Sequence, residues 1–356
     1  MKFIATDCIW LDFSKCETTA NLFMVNKKQF LAQPIPTEAQ KLTGKSLVEY
    51  VNQRQPFFKA EYSPNAKQRM KSLMKMEYLG EHRNRERDEF VLMKEPIFNG
   101  TIPESFDSRE VWKNCPSIDY IRDQSNCGSC WAVSAASTMS DRICVQSGGK
   151  VKKILSDTDI VSCCGNACGD GCEGGYHTEA WAYVKRYGVC SGGRFEEPGV
   201  CKPYAFHPCG FHKDQKYYGM CPKRLFATPA CKKYCQYGYG KRYKRDKVYV
   251  KWTYSILNQE DAIQEMLMRK GPVQAIFIVY EDFSYYKNGI YVHTAGQEAG
   301  AHAVKLVGWG VENGTKYWTV ANSWNTDWGE DGYFRIIRGV NHCRFEEFMV
   351  TGDFLL

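Results

Sequence analysis

The run Gln124-Ser125-Asn126-Cys127-Gly128-Ser129-Cys130-Trp131 stands where a loop should feed a long helix. Trp131 to Ser147 contains neither Gly nor Pro and is closed by Gly148-Gly149. A thiol at a helix N-terminus lies beside unsatisfied N–H groups and the positive end of the helix dipole, and both favour thiolate over thiol. Cys130 is therefore a candidate nucleophile. It needs an imidazole to pair with the thiolate and later to protonate a leaving amine. Of seven histidines, His302 sits in Gly300-Ala301-His302-Ala303-Val304 at the start of a β-rich run, and Asn322-Ser323-Trp324 follows twenty residues later on the next. Adjacent strands can set the two side by side, so that the Asn322 amide orients the imidazole and Trp324 shields their hydrogen bond from water.

The elements that must position these groups change period along the chain. After Gln33-Pro34-Ile35-Pro36, Leu42, Leu47, Val48 and Val51 fit one helical face. Asn65 could cap a second helix carrying Ala66, Met70, Leu73 and Met74. Glu81 to Glu89 is almost entirely charged and reads as an exposed linker of the kind proteases cut. Residues 163–243 are dense in Gly, Cys and aromatics and read as crosslinked loops. Residues 273–278, 303–307, 317–320 and 333–337 read as strands. A helical half thus precedes a strand-rich half, on which residues 1 to about 100 form a small helical appendage.

Seventeen cysteines in 356 residues are the compositional anomaly, and fifteen of them lie between Cys115 and Cys343. An odd number cannot be fully paired within one chain, so at least one thiol is left over. Such cysteine usage argues for an oxidising compartment, although the N-terminus, broken by Asp7 and Asp12, gives no clear signal peptide. No stretch approaches the roughly 18 apolar residues of a membrane-spanning helix, so a soluble chain is expected. The net charge is +7, and residues 213–251 concentrate twelve Lys and Arg against Asp214 and Asp246. That stretch is either a solvated surface or a lid or docking surface for an anionic group. Nucleic-acid binding is disfavoured, because Cys221, Cys231 and Cys235 interrupt the run and no recognition motif accompanies it.

With its distant His and Asn, Cys127-Gly128-Ser129-Cys130-Trp131 resembles the signature of papain-like cysteine peptidases. Within them the chain is most similar to the cathepsin B branch over residues 40–353. The resemblance is carried by Arg122-Asp123-Gln124, Cys163-Cys164-Gly165, Cys168-Gly169-Asp170-Gly171-Cys172, Gly174-Gly175-Tyr176, Gly308-Trp309-Gly310 and Asn322-Ser323-Trp324-Asn325-Thr326-Asp327-Trp328-Gly329. Papain and cathepsins generally place His and Asn about 130–150 residues after the Cys, whereas His302 follows Cys130 by 172. The surplus falls in the Cys-rich basic stretch at 201–251, which in cathepsin B is the occluding loop over the cleft.

The resemblance implies an α+β, papain-like two-lobed fold, with a helical left lobe, a β-barrel-like right lobe and a cleft between. Residues 1–32 are a leader of unassigned nature, 33–100 an inhibitory propeptide and linker, and 101–356 the mature peptidase. It implies a cysteine endopeptidase made as a zymogen, acting on proteins and peptides in a lysosome-like acidic compartment or secreted, with a gut lumen as one setting. The alternative is a catalytically inactive secreted homologue that binds peptides or inhibitors. Cys130 would be nucleophile, His302 acid and base, Asn322 orienter, and Gln124 an oxyanion donor. Gly174, Gly175, Trp324, Phe348 and His212 would bind substrate. The implied disulfides are Cys115–Cys144, Cys127–Cys172, Cys163–Cys231, Cys164–Cys168, Cys201–Cys235 and Cys209–Cys221, with Cys130, Cys343 and Cys190 free and Cys190 without a role. These pairs compete with a Cys127/Cys130 redox couple and with zinc at Cys163–Cys172, both disfavoured. No metal or cofactor is expected. The partners are the propeptide as inhibitor and cystatin-type inhibitors, the enzyme is a monomer, and Asn99 and Asn313 are glycosylation candidates.

Three departures from the branch carry expectations of their own. The lid keeps one histidine, His212, where cathepsin B has two, because Phe211 takes the first position. Phe211 cannot pair with Asp123, and Lys216 is the nearest candidate partner for Asp327, so a looser lid and weakened dipeptidyl-carboxypeptidase activity are expected. Phe348 replaces an acid at the floor of the S2 pocket, which should favour apolar side chains over Arg. Ala301 replaces a Gly just before His302.

Overall fold

The computed structural model describes residues 30–80, 91–93 and 100–356. The leader up to residue 29, the charged linker and Asn99 lie outside the described residues. At the centre of the molecule is the helix Cys130–Gln146, buried over all but its last turn. It ends in Gly148 and Gly149, both at positive φ, where the Gly149 N–H reaches the Cys144 carbonyl at 2.8 Å. Helices Asp157–Cys163 and His177–Tyr187 pack beside it, and Trp131, Met139, Ile160, Trp181 and Val184 form one apolar core.

The second core lies on a sheet of ten strands: β1 Phe58–Ala60, β2 Val91–Met93, β3 Phe106–Asp107, β4 Val250–Ile256, β5 Val273–Tyr280, β6 Tyr286–Tyr291, β7 Glu298–Glu312, β8 Thr315–Ala321, β9 Tyr333–Ile337 and β10 Met349–Phe354. Their order is β1-β6-β9-β8-β7-β5-β10-β4-β2, with β3 paired to β7. Among the described residues the sheet does not close, so the strand-rich lobe is an open sheet and not the barrel-like one expected from the sequence. Its two end strands, β1 and β2, pair antiparallel with β6 and parallel with β4 at opposite margins and never meet.

The N-terminal segment is threaded into both cores. Helix Gly44–Arg54 buries Leu47, Val48 and Val51 against the sheet side, as its apolar spacing requires. The second expected helix is shorter than its period suggests. It runs Ala66–Lys71, Asn65 makes no side-chain cap, and after a turn at Ser72 and Leu73 the backbone of Met74 bridges Ala301. The reason is tertiary. Leu73 enters the sheet core, while Met74 enters the helical core and gives its backbone N–H and carbonyl to Ala301, which an α-helical turn would have used internally. Burying Leu47, Val51, Phe58 and Met74 is worth about 1.5–3 kcal/mol each, so this segment is held firmly while the chain is intact.

Candidate active site

Two elements from opposite cores meet at the cleft. The helix start supplies Cys130, which is free and fully buried. Strand β7 supplies His302 and Ala303, and the Ala303 N–H points at the Cys130 sulfur at 3.5 Å. Asn322 directly follows β8, and its Oδ1 lies 2.7 Å from His302 Nε2 while also accepting the Ser323 N–H at 2.7 Å. An amide oxygen can only accept, so the imidazole carries its proton on Nε2 and keeps a lone pair on Nδ1, which has no hydrogen-bond partner. Trp324 stacks on the imidazole with ring centroids 4.9 Å apart, and Phe277 meets it edge-on at 6.2 Å.

Gln124 is fixed from three sides. Its N–H reaches the Ser323 carbonyl at 2.9 Å, its Oε1 accepts the Ser323 hydroxyl at 2.6 Å, and its Nε2 donates to the Cys127 carbonyl at 3.0 Å. The same Nε2 also donates to the Ser72 carbonyl at 2.9 Å. Nothing in the sequence pattern marks Ser323 beyond its place next to Asn322, yet it holds Gln124 through both its carbonyl and its hydroxyl.

From Ser72 onward the N-terminal segment fills the cleft. Met74 exchanges two backbone hydrogen bonds with Ala301, at 3.0 and 2.9 Å. The Tyr78 ring lies against Gly174, where a Cβ would approach it to 2.6 Å, and the Tyr78 hydroxyl donates to Asp170 at 2.7 Å. Gly80 lies against the Phe348 ring, which also carries the Arg344 guanidinium at 4.8 Å. Gly174 thus faces the cleft occupant, whereas a Cβ on Gly175 would strike the Cys168 carbonyl and Trp131, so that glycine serves packing. Covered in this way, the Cys130 thiol is pushed up to about 12 by burial, with backbone N–H groups opposing, and His302 is pushed down to about 4 by burial. Both shifts favour the neutral pair.

The lid differs from expectation. Asp327 is not paired with Lys216, which lies over the Tyr218 ring at 4.7 Å. Its partner is His212, whose Nδ1 is 3.1 Å from Asp327 and whose Nε2 is 3.5 Å from Asp123 and 3.1 Å from the Cys209 carbonyl. One imidazole has two ring nitrogens, so a single histidine can bridge both acids. Burial lowers the His212 pKa, but the Asp327 hydrogen bond and the charges of Asp123 and Asp327 outweigh it and leave the pKa raised. Gln215 and Asn325 exchange amide hydrogen bonds at 2.7 and 3.0 Å, so the lid is pinned and not loose. Phe211 points outward and stacks on Tyr217 at 4.5 Å.

Among the described residues the disulfides are Cys115–Cys144, Cys127–Cys172, Cys163–Cys231, Cys164–Cys168, Cys201–Cys235 and Cys209–Cys221. They leave no thiol pair at Cys127/Cys130 and no thiolate set at Cys163–Cys172. Asn313 sits exposed at positive φ in the β7–β8 turn.

Residues 102–352 match the family described as papain family cysteine protease. The chain belongs to that family. It is 49% identical over 321 residues to cathepsin B-like cysteine proteinase 1 of Haemonchus contortus, covering 90% of this chain and 92% of that one. It is 43% identical over 312 residues to a gut-specific cysteine proteinase of Caenorhabditis elegans, covering 87% and 91%. Among solved structures, procathepsin B S9 of Trypanosoma congolense matches with a TM-score of 0.73 and 36% identity, over 89% of this chain and all of that one. Procathepsin L 3 of Tenebrio molitor larval midgut shares the fold at a TM-score of 0.60 and 20% identity. The chain is thus a cathepsin B-like cysteine peptidase made as a zymogen. Among the described residues, no helix is long and apolar enough to cross a membrane.

Proposed function

We propose that the peptidase cuts proteins internally in an acidic compartment through a Cys130–His302 thiolate–imidazolium pair. Residues 33–100 are the removable inhibitory prosegment and 101–356 the mature enzyme. The observation that carries this reading is the 2.7 Å contact between His302 Nε2 and the Asn322 amide oxygen, which accepts a hydrogen bond from Nε2–H and so leaves the lone pair on Nδ1, next to the residue whose N–H holds the Cys130 sulfur. Nδ1 takes the thiol proton, and Cys130 Sγ attacks the peptide carbonyl carbon. The oxyanion accepts from Gln124 Nε2 and the Cys130 N–H. As the C–N bond breaks, His302 gives its proton to the leaving amine. Water, deprotonated by Nδ1, then hydrolyses the thioester and restores Cys130.

The cleft groups set the preference. Gly174 leaves room for an extended chain, Trp324 keeps water from the His302–Asn322 bond, and Phe348 favours an apolar side chain in S2. With His212 committed to Asp123 and Asp327, little is left to hold a substrate's C-terminal carboxylate, so endopeptidase activity outweighs removal of dipeptides. Six disulfides suit a lysosome-like or secreted setting, and a relative named gut-specific supports a gut lumen. We further assign a monomer, a glycan on the exposed Asn313, and inhibition by cystatin-type proteins that enter the same cleft.

The test is active-site titration with an epoxide reagent at about pH 5 after acid processing. Stoichiometric labelling of Cys130 with loss of peptidase activity is expected. An unlabelled Cys130 overturns the reading in favour of a homologue that binds peptides without cutting them.

A further inference from the structure

Cys190 is free and fully buried, and the catalytic reading makes no use of it. It follows the helix His177–Tyr187, in a stretch paired with both roots of the lid region. Val189 bridges Val248, the Lys202 N–H reaches the Ser191 carbonyl at 2.9 Å, and the Cys201 N–H reaches Ser191 Oγ at 2.9 Å. The sulfurs of Cys190 and Cys201 and a carboxylate oxygen of Asp246 lie within 4.8 Å of one another. Such a trio has the look of a metal site, but Cys201 is bonded to Cys235, and a disulfide sulfur is not the thiolate a metal requires. What the structure holds is a free thiol beside a disulfide.

We propose that Cys190 is an internal exchange partner of the Cys201–Cys235 disulfide, giving the protein two disulfide isomers. The Cys190 thiol loses its proton by way of the adjacent Asp159 carboxylate, and its sulfur attacks Cys201 Sγ. The Cys190–Cys201 bond forms as the Cys201–Cys235 bond breaks, and the electron pair leaves on Cys235, which takes up a proton. One disulfide and one thiol stand on each side, so no oxidant or reductant is consumed. The consequence is one of place. Cys190 is sealed in the interior, whereas Cys235 is half-buried beside the exposed Lys232, Lys233 and Tyr234. Exchange carries the free thiol to a basic surface that favours thiolate, where small disulfides and alkylating reagents can reach it.

The surroundings set when this happens. Asp159 accepts the Cys190 N–H at 3.2 Å, Asp246 lies on the other side, and Lys202 and Lys247 pair with Asp159 at 2.7 and 3.7 Å. Tyr239 and Tyr243 donate to Asp246 and Asp159, and Tyr183 completes the shell. Burial, then Asp159 and Asp246, push the Cys190 thiol up, with Lys202 opposing. Below its pKa the thiolate fraction falls about tenfold per pH unit, so exchange is quiet in acid and quickens about tenfold per unit as pH rises.

The full chain carrying Cys130→Ala, which removes self-digestion, is held at about pH 5 or about pH 8.5, quenched in acid and alkylated with N-ethylmaleimide. Its linked peptides are then mapped by mass spectrometry without reduction. A Cys190–Cys201 peptide with maleimide on Cys235 is expected after the alkaline incubation and not after the acid one. A second chain, Cys235→Ser, is expected to carry Cys190–Cys201 from the start. Cys201–Cys235 as the sole linkage after a day in alkali overturns the proposal, as does a Cys235→Ser chain in which Cys190 and Cys201 both alkylate.

Discussion

The side-chain amide of Gln124 donates a hydrogen bond to the backbone carbonyl of Ser72 at 2.9 Å. The zymogen thus presents a carbonyl of its own to the donor assigned to the oxyanion. On the proposed function, inhibition would consist of satisfying the transition-state donor in advance, alongside covering the thiol.

Once the prosegment is removed, Gln124→Ala is expected to lower kcat by about 10²–10³ with KM little changed, the usual cost of one oxyanion donor. The loss should fall on kcat because the developing oxyanion depends on the donor more than the ground-state carbonyl does. Steady-state kinetics on a fluorogenic dipeptide checks this, and a pure KM effect contradicts the role.

Phe348 should make the wild-type enzyme favour Phe or Leu over Arg at the second residue before the cut, since a guanidinium on an aromatic floor has no carboxylate. In Phe348→Glu, the ratio of kcat/KM for Arg over Phe is expected to rise about 10- to 100-fold. An unchanged ratio means that Phe348 does not form the floor of S2.

Peptides with free and amidated C-termini should be cut at similar rates, because His212 is engaged by Asp123 and Asp327. His212→Ala should free the lid and raise the cutting of bulky proteins in acid. The His212 pKa is raised above 6.5, so the pinning is complete below about 6.5 and is lost as pH climbs through the raised value. The variant should therefore lose that part of the pH dependence. A strong wild-type preference for free carboxylates counts against the assignment.

Acid should loosen the prosegment. Burial pushes His302 down to about 4 when covered, below its ordinary 6.5, so between those values the covered state binds fewer protons than a free imidazole would, and falling pH favours uncovering. His342 acts with the same sign. Its Nε2 accepts the His293 N–H at 2.8 Å, burial and then the charge of His293 push it to about 4, and it lines a cavity of about 140 Å³ shared with Phe30, Pro34 and Arg54. In a Cys130→Ala zymogen, cleavage of the prosegment by an added protease should accelerate from about pH 6.5 to about pH 4. His342→Gln, which keeps an acceptor but binds no proton, should flatten part of that rise. A pH-independent rate would exclude both histidines as triggers.

The site was legible in the sequence where one element positions one residue. A Gly- and Pro-free run marks the helix that starts at Cys130, and alternating apolar runs mark β7 and β8, which bring His302 to Asn322. It was not legible where position depends on two distant segments. Leu73 and Met74 continue a helical period and give no local sign that one enters each core. Lys216 is closer in the sequence pattern to a partner for Asp327 than His212, because the path of the lid is set by Cys209–Cys221 and by contacts across to Asp123 and Asn325. Strand patterns likewise give strands but not closure, which depends on which strands end the order.

That order has a consequence for maturation. Both end strands, β1 and β2, belong to residues 33–100, the segment proposed above to be removed. Its removal would leave the backbone of Tyr286–Gly289 in β6 without β1 and that of Tyr254–Ile256 in β4 without β2. The mature enzyme would thereby gain two raw sheet margins. Each can be capped again only by another extended chain, by water or by the side chains that flank it.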